Sequence, residues 1–334
     1  MINKIYSWNY SLWLQLIKQV GKLPHALLLS GPTGIGKLEL AHALSQFLLC
    51  SNRHNTLQAC GTCSSCHWFE ANTHPDFKEL TLEQDASEDI ENQSKKKGKK
   101  TQISVGQIRE LGDFLSLSSH QSQGLKIALI QPADALSHAS ANALLKMLEE
   151  PPRDVIFILV THQIHRLLPT IRSRCHRLNM LLPKNEDAVL WLETQGIKSA
   201  QHKLHYYGGA PLLVLRDEAL GNELQNIWHQ LALGAKMNIF SLASDFLNFS
   251  SEIALSVLQK WIYDLLASKL LNEIRYHADL AATLAHLARL ADEKKLLSLQ
   301  IDCTSAKMSA SHPLNWELQL EGLLLKYIQL FESK

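Results

Sequence analysis

The sequence predicts an α/β fold built on a parallel β-sheet, followed by a region that is entirely helical. Between residues 26 and 160, three apolar runs typical of buried strands alternate with segments of helical periodicity, and a glycine-rich turn joins the first run to a helix. Strands that alternate with helices form a parallel sheet covered on both faces. From about residue 221 onward, apolar residues recur only at helical spacing.

Length and composition exclude several classes of protein. A chain of 334 residues can bury a sizeable core and divides into two or three domains. A net charge of +1 does not attract the whole protein to DNA or to a membrane, so any contact with nucleic acid is local. No apolar run reaches membrane-spanning length, and residues 1–8 do not resemble a secretory signal. We therefore expect a cytoplasmic protein, in which clustered cysteines usually bind metal.

The segment that precedes the first strand predicts a helix up to about Gly21. Its apolar residues recur at intervals of four: Trp8, Leu12, Leu16 and Val20. This spacing places them on one helical face, which we expect to pack on the sheet domain.

The glycine-rich turn is an almost complete phosphate-binding loop. Gly31, Gly34, Gly36 and Lys37 match the pattern G-x-x-x-x-G-K, in which backbone N–H groups, the helix N-terminus and the lysine bind phosphates. The next residue should be Ser or Thr, whose hydroxyl ligates magnesium, but it is Leu38. We interpret the loop as degenerate, so that binding of ATP and magnesium is in doubt. The alternative is a plain glycine turn with no particular use for Lys37.

Four of the six cysteines lie close together after this helix, with the spacing C-x9-C-x2-C-x2-C: Cys50, Cys60, Cys63 and Cys66. Closely spaced cysteine pairs supply the tetrahedral sulfur ligands of a structural zinc ion. Residues 63–67 also spell the attachment pattern of a c-type haem, but that chemistry requires export. A redox pair does not explain the other two cysteines.

A strongly charged segment at 82–102 interrupts the apolar pattern. Acidic residues are followed by a basic run at 95–100, which predicts a solvated, flexible insertion. Contact between the basic run and nucleic acid is the alternative.

Helical spacing returns at Val105, and a second buried strand is predicted at 126–130. In nucleotide hydrolases this strand ends in acidic residues that hold magnesium and orient water. This chain has Gln131 and Pro132 there, and Asp134 lies too far along to replace them. A helix at 140–150 and a third strand at 155–160 complete the alternation.

Several strings occur together and in order: Leu23–Leu29, the glycine loop, the four cysteines, Ala141–Pro152 and Ser173-Arg174-Cys175. In combination they resemble the clamp-loader branch of the AAA+ ATPases, and within it the delta-prime subunits of bacterial DNA polymerase III. The resemblance implies an AAA+ core domain at 1–180 that contains the zinc module at 50–66 and the flexible insertion. It also implies a helical lid at 181–220 and an all-α oligomerisation (collar) domain at 221–334.

The resemblance assigns Arg174 as an arginine finger that acts in trans at the ATP site of a neighbouring subunit. The alternative is a salt bridge that closes its own domain. Active relatives also carry an arginine early in the second domain, where this chain has Leu212. Together with Leu38 and Pro132, this departure implies a member that keeps the fold and has lost hydrolysis.

The implied function is a non-hydrolysing scaffold subunit of the DNA polymerase III clamp loader, and thus part of a nucleotidyltransferase holoenzyme. The implied partners are gamma/tau and delta subunits in a pentameric ring, the sliding clamp, and primed DNA through the assembly. The last predicted helix is apolar on more than one side, which indicates either a bundle core or a subunit contact. A self-sufficient AAA+ ATPase of DNA replication or repair is one alternative, and a zinc-dependent nucleic-acid-binding module is another.

Overall fold

The computed structural model describes residues 5–53, 56–82, 102–117, 119, 124–309 and 315–332. The chain divides into two compact units, Met1–Asp187 and Ala188–Lys334. In the part of the chain that the structure describes, no helix has the length and apolar character needed to cross a membrane.

The first unit contains a five-stranded sheet whose neighbouring strands are all parallel. The strands are β1 (Ala26–Ser30), β2 (Phe77–Leu80), β3 (Lys126–Ile130), β4 (Val155–Thr161) and β5 (His176–Asn179), in the spatial order β2-β3-β4-β1-β5. Every residue of β1, β3 and β4 is buried, as a sheet covered on both faces requires. The predicted parallel sheet is therefore confirmed.

Helices cover the two faces of this sheet. They are α1 (Tyr10–Lys18), α2 (Lys37–Leu49), α3 (Ser64–Glu70), α4 (Val105–Ser116), α5 (His138–Glu149) and α6 (Pro169–Arg174). Alternate residues of β1 face opposite sides, so Leu27 and Leu29 pack with α1 and α2, whereas Ala26 and Leu28 pack with α4, α5 and α6.

The sequence patterns missed the two edge strands and misplaced the face of the first helix. β2 and β5 have only four residues each, include charged residues, and lie mostly at partial or full exposure, so they lack the apolar run that identified the other strands. The helix α1 packs through Trp13 and Leu16, and Trp8 lies before it in a 3₁₀ turn, Ser7–Asn9.

The second unit is helical throughout its described residues. Its helices are α7 (Asn185–Thr194), whose first three residues belong to the first unit, α8 (Ala200–Tyr206), α9 (Pro211–Arg216), α10 (Gly221–Leu231), α11 (Ile239–Leu247), α12 (Ser251–Leu271), α13 (Ala281–Leu290), α14 (Glu293–Ser309) and α15 (Trp316–Ile328). One group of buried apolar side chains falls between 188 and 214, and a larger one between 224 and 330. The predicted division into lid and collar remains a prediction.

The larger helical core encloses a buried acid. Asp264 on α12 is fully buried and accepts hydrogen bonds from the backbone N–H groups of Arg275, Tyr276 and His277 at 2.8–3.1 Å. His277 Nδ1 lies 2.8 Å from Asp264 Oδ2, so the ring donates from this nitrogen to the carboxylate. Burial lowers the pKa of His277 below its usual range, and the pairing with Asp264 only partly offsets this effect.

We expect His277 to make the free energy of unfolding depend on pH. Below about pH 6.5 the unfolded chain binds a proton at this histidine that the folded chain does not. Stability therefore falls as pH falls, by at most about 1.4 kcal/mol per pH unit. The variant His277→Asn keeps a donor for Asp264 and should flatten the pH dependence in urea unfolding between about pH 7 and pH 5.5. The matched control is His286→Asn, at an exposed histidine, and this variant should keep the wild-type pH dependence of the free energy of unfolding.

Candidate functional site

Lys37 donates hydrogen bonds to carbonyl oxygens of the glycine loop to which it belongs. The loop leaves the carboxyl end of β1, and α2 begins at Lys37. The Lys37 ammonium donates to the carbonyl oxygen of Gly31 at 2.8 Å and to that of Pro32, and the residue is only 3% exposed. Burial lowers the pKa of Lys37 to about 8, although Asp134 and Glu39 favour the charged form. The ammonium thus donates to backbone carbonyls of its own loop.

The N-terminal segment holds the loop from outside. The indole N–H of Trp8 and the side-chain amide of Asn9 both donate to the carbonyl oxygen of Ile35 at 2.9 Å. Gly36 has φ of +87°, in the left-handed region that favours glycine, and a Cβ there would lie 2.5 Å from the Tyr6 ring. A Cβ at Gly31 would lie 2.2 Å from the carbonyl oxygen of Met180. Packing within the chain therefore requires these two glycines even without a nucleotide.

The carboxyl end of β3 does not present the acids of a hydrolase. Gln131 extends its amide nitrogen to within 3.5 Å of Glu79 Oε1, and Pro132 has no polar side chain. Asp134 Oδ1 accepts hydrogen bonds from the Thr161 hydroxyl at 2.6 Å and from the backbone N–H of His162 at 2.9 Å. Asp134 thus joins the segment after β3 to the end of β4 through these hydrogen bonds.

The four predicted metal ligands come together. The Sγ atoms of Cys50, Cys60, Cys63 and Cys66 all lie within 4.8 Å of one another, with 4.0 Å between Cys50 and Cys63 and 3.9 Å between Cys60 and Cys66. A tetrahedral ion with metal–sulfur bonds of about 2.3 Å needs sulfur atoms about 3.8 Å apart. Hydrogen bonds lower the pKa of the Cys60 thiol to about 6, and the largest contribution comes from the backbone N–H of Thr62. The cluster could therefore hold a metal ion.

Hydrogen bonds that the sequence patterns did not reveal attach this cluster to the sheet unit. Cys50 directly follows α2, and Cys66 lies in α3. The Ser65 hydroxyl donates to the carbonyl oxygen of Leu49 at 2.7 Å, which joins the two helix ends. The Trp13 indole donates to the carbonyl oxygen of Leu57 at 2.8 Å. The loop that carries the cysteines is thus held at both α2 and α1.

Arg174 lies at the other end of the sheet from the glycine loop. It is the last residue of α6 and precedes β5, whose first residue, His176, pairs with Leu27 near the start of β1. Its guanidinium forms a salt bridge with Glu149 at the end of α5, and Nη1 donates to the carbonyl oxygen of Thr170 at 3.1 Å. The structure therefore does not bring Arg174 and the loop together. The intramolecular salt bridge considered as the alternative is present.

Two further predictions concern the charged insertion and Leu212. Most of the insertion at 82–102, including the basic run at 95–100, lies outside the described residues. Leu212 lies in the first turn of α9 in the second unit and brings no cationic group.

Comparison with known proteins supports the resemblance found in the sequence. A family model described as DNA polymerase III, delta subunit, matches residues 9–183. The DNA polymerase III subunit delta' of Pseudomonas aeruginosa is 32% identical over 340 residues, which cover 98% of each chain. The subunit delta' of Escherichia coli K12 is 39% identical over 178 residues, covering 53% of this chain and 48% of that protein. A solved DNA polymerase III gamma subunit-related protein from Thermotoga maritima aligns with 96% of this chain and 99% of its own, at 18% identity and a TM-score of 0.47.

We expect Gly31→Ala to destabilise the sheet unit by roughly 1–3 kcal/mol, because the added methyl group meets the backbone oxygen of Met180 rather than a movable side chain. Gly21→Ala is the matched control, since a Cβ there meets nothing within 4 Å, and it should change stability by no more than about 0.5 kcal/mol. Urea unfolding of both variants measures the difference. Equal stability of the two variants would show that the Met180 contact does not constrain the loop.

Proposed function

Since the chain belongs to the family of DNA polymerase III delta-prime subunits, we propose that it acts in the clamp loader without hydrolysing ATP itself. In this proposal it is a scaffold that helps to open the sliding clamp and load it onto primed DNA. It supplies Arg174 to the ATP site of a neighbouring subunit.

The position of Arg174 is the observation that carries this proposal. The glycine loop leaves the carboxyl end of β1, whereas Arg174 precedes the amino end of β5, which runs parallel to β1. A parallel strand rises about 3.3 Å per residue, so the five residues of β1 separate these two edges by about 13 Å. An arginine side chain on one edge does not reach a phosphate on the other. If Arg174 acts on a nucleotide, that nucleotide belongs to another chain.

Three departures around the loop support the absence of hydrolysis. Leu38 supplies no oxygen for magnesium, and Gln131 and Pro132 replace the acids that hold magnesium and orient water. The loop keeps the glycines and the lysine of a phosphate-binding loop, but the groups that hold magnesium and orient water are replaced.

The helical second unit supports a role in assembly. Helices α14 and α15 expose several large apolar side chains: Leu297, Ile301, Leu318 and Leu325. Such side chains suit a contact with another subunit. We propose that this unit serves as the collar through which gamma/tau and delta subunits join the chain in a pentameric ring.

We further propose that the four-cysteine cluster holds a structural zinc ion. Four cysteine thiolates form a closed tetrahedral site, which leaves no open position for catalysis. The ion would attach the segment after α2 to α3 and stabilise this part of the sheet unit.

We expect Arg174→Ala to reduce ATP hydrolysis at one site of a reconstituted clamp loader. An arginine finger typically contributes roughly 10³-fold or more to the rate at its own site. At a saturating concentration of this chain, where the variant still assembles, hydrolysis at that site and clamp loading should collapse. Phosphate release with partner subunits, clamp and primed DNA measures the effect.

The control for this experiment is Arg153→Ala, which removes an exposed arginine from the same unit. It should leave turnover unchanged. Wild-type turnover with Arg174→Ala would contradict a role in trans and leave Arg174 with a structural role only.

We expect Cys60→Ser to lower both the zinc content and the stability of the protein. Loss of one ligand opens the site and should reduce the free energy of unfolding by roughly 2 kcal/mol or more. Metal analysis and thermal unfolding measure the two effects. Cys303→Ser, which removes a buried cysteine outside the cluster, should retain the metal. Protein that remains folded should still support clamp loading, and an equal loss of activity in folded protein would argue against a purely structural ion.

A further inference from the structure

Glu149 has an unfavourable position on its helix. It is the last residue of α5, where the carbonyl groups at the helix C-terminus carry partial negative charge. Glu150 adds a second acid directly after it. An acidic residue at this end costs stability unless a nearby cation compensates for it. Such a local conflict indicates that the residue serves a purpose other than helix stability.

Lys146 lies in the same last turn of α5, but the cation that forms a salt bridge with Glu149 is Arg174. Helix α5 ends at the amino edge of the sheet, where the His25 ring, just before β1, lies 3.1 Å from the carbonyl oxygen of Leu148. At this edge the guanidinium of Arg174 forms its salt bridge with Glu149. The carboxylate of Glu149 therefore neutralises the positive charge of Arg174, which would otherwise be free to bind a phosphate of the neighbouring subunit.

This salt bridge can break at low cost. The two side chains are 34% and 47% exposed, and water screens such pairs. Within the described parts of the chain, the other acceptors of Arg174 are neutral groups of its own helix, at Thr170 and Ser173. A phosphate that approaches from another chain competes with one weakly held carboxylate.

We propose that Glu149 is a positioning residue that holds Arg174 in the free chain and exchanges it for the neighbouring phosphate on assembly. This inference rests on the proposed function of Arg174. The carboxylate competes with the phosphate for one guanidinium, so it weakens docking against a nucleotide-bound neighbour. The carboxylate does not change the rate of ATP hydrolysis in the docked state, because Arg174 no longer contacts Glu149 there.

The first test uses the free chain. Phenylglyoxal modifies accessible guanidinium groups, and mass spectrometry of peptides follows Arg174. Loss of an exposed ion pair should raise the modification rate of Arg174 by about 1.5- to 5-fold in Glu149→Gln. The control Glu150→Gln makes the same charge change at the adjacent residue, and Glu150 forms no salt bridge within the described chain. In this control the modification rate of Arg174 should equal that of the wild type. Equal rates in all three proteins would overturn the proposal.

The second test uses a reconstituted clamp loader, with ATP turnover measured against the concentration of this chain. Glu149→Gln should lower the half-maximal concentration by about 1.5- to 5-fold and leave the maximal rate unchanged. A lower maximal rate, or the same shift in Glu150→Gln, would overturn the proposal. Arg174→Ala separates the two claims. If it leaves the maximal rate intact, the proposed function fails and the exchange fails with it. If it lowers the maximal rate while Glu149→Gln behaves as wild type, only the exchange fails.

Discussion

The pairing of β1 with β4 on one side and β5 on the other is the constraint on which the rest of the sheet unit depends. Since all three strands are parallel, their carboxyl ends meet at one edge, where the glycine loop and Thr161 lie. The segments that precede the strands meet at the opposite edge, where Arg174 lies. The sheet thus separates the degenerate loop from the arginine, and neither can serve the other within one chain.

Contacts within the chain hold the glycine loop at several points. Lys37 satisfies its buried charge on two carbonyls, Trp8 and Asn9 bind the carbonyl of Ile35, and Gly31 packs on Met180. A buried ammonium without partners would cost several kcal/mol, so this arrangement stabilises the loop in a closed form.

Much of the sheet unit and of its cysteine cluster could be predicted from the sequence, for physical reasons that differ between elements. The three inner strands have the continuous apolar runs that burial on both faces demands, and the cysteine spacing leaves few alternatives to a metal cluster. The edge strands β2 and β5 are short and partly exposed, so no pattern revealed them. The salt bridge between Arg174 and Glu149 joins two helix ends through the tertiary fold, which residue spacing does not encode. The hydrogen bonds of Lys37 are local, and they depend on the backbone conformation of its own loop.

We propose that this chain contributes Arg174 to a nucleotide of a neighbouring subunit, while Lys37 stays bonded to its own loop. The most direct test is a cryo-electron microscopy structure of the reconstituted loader with ADP and a metal fluoride that mimics the transferred phosphoryl group. We predict that the Arg174 guanidinium lies within hydrogen-bond distance of the fluoride in the adjacent subunit, and that Lys37 still binds the carbonyls of Gly31 and Pro32. A nucleotide in the glycine loop of this chain, with Arg174 still on Glu149, would contradict the claim.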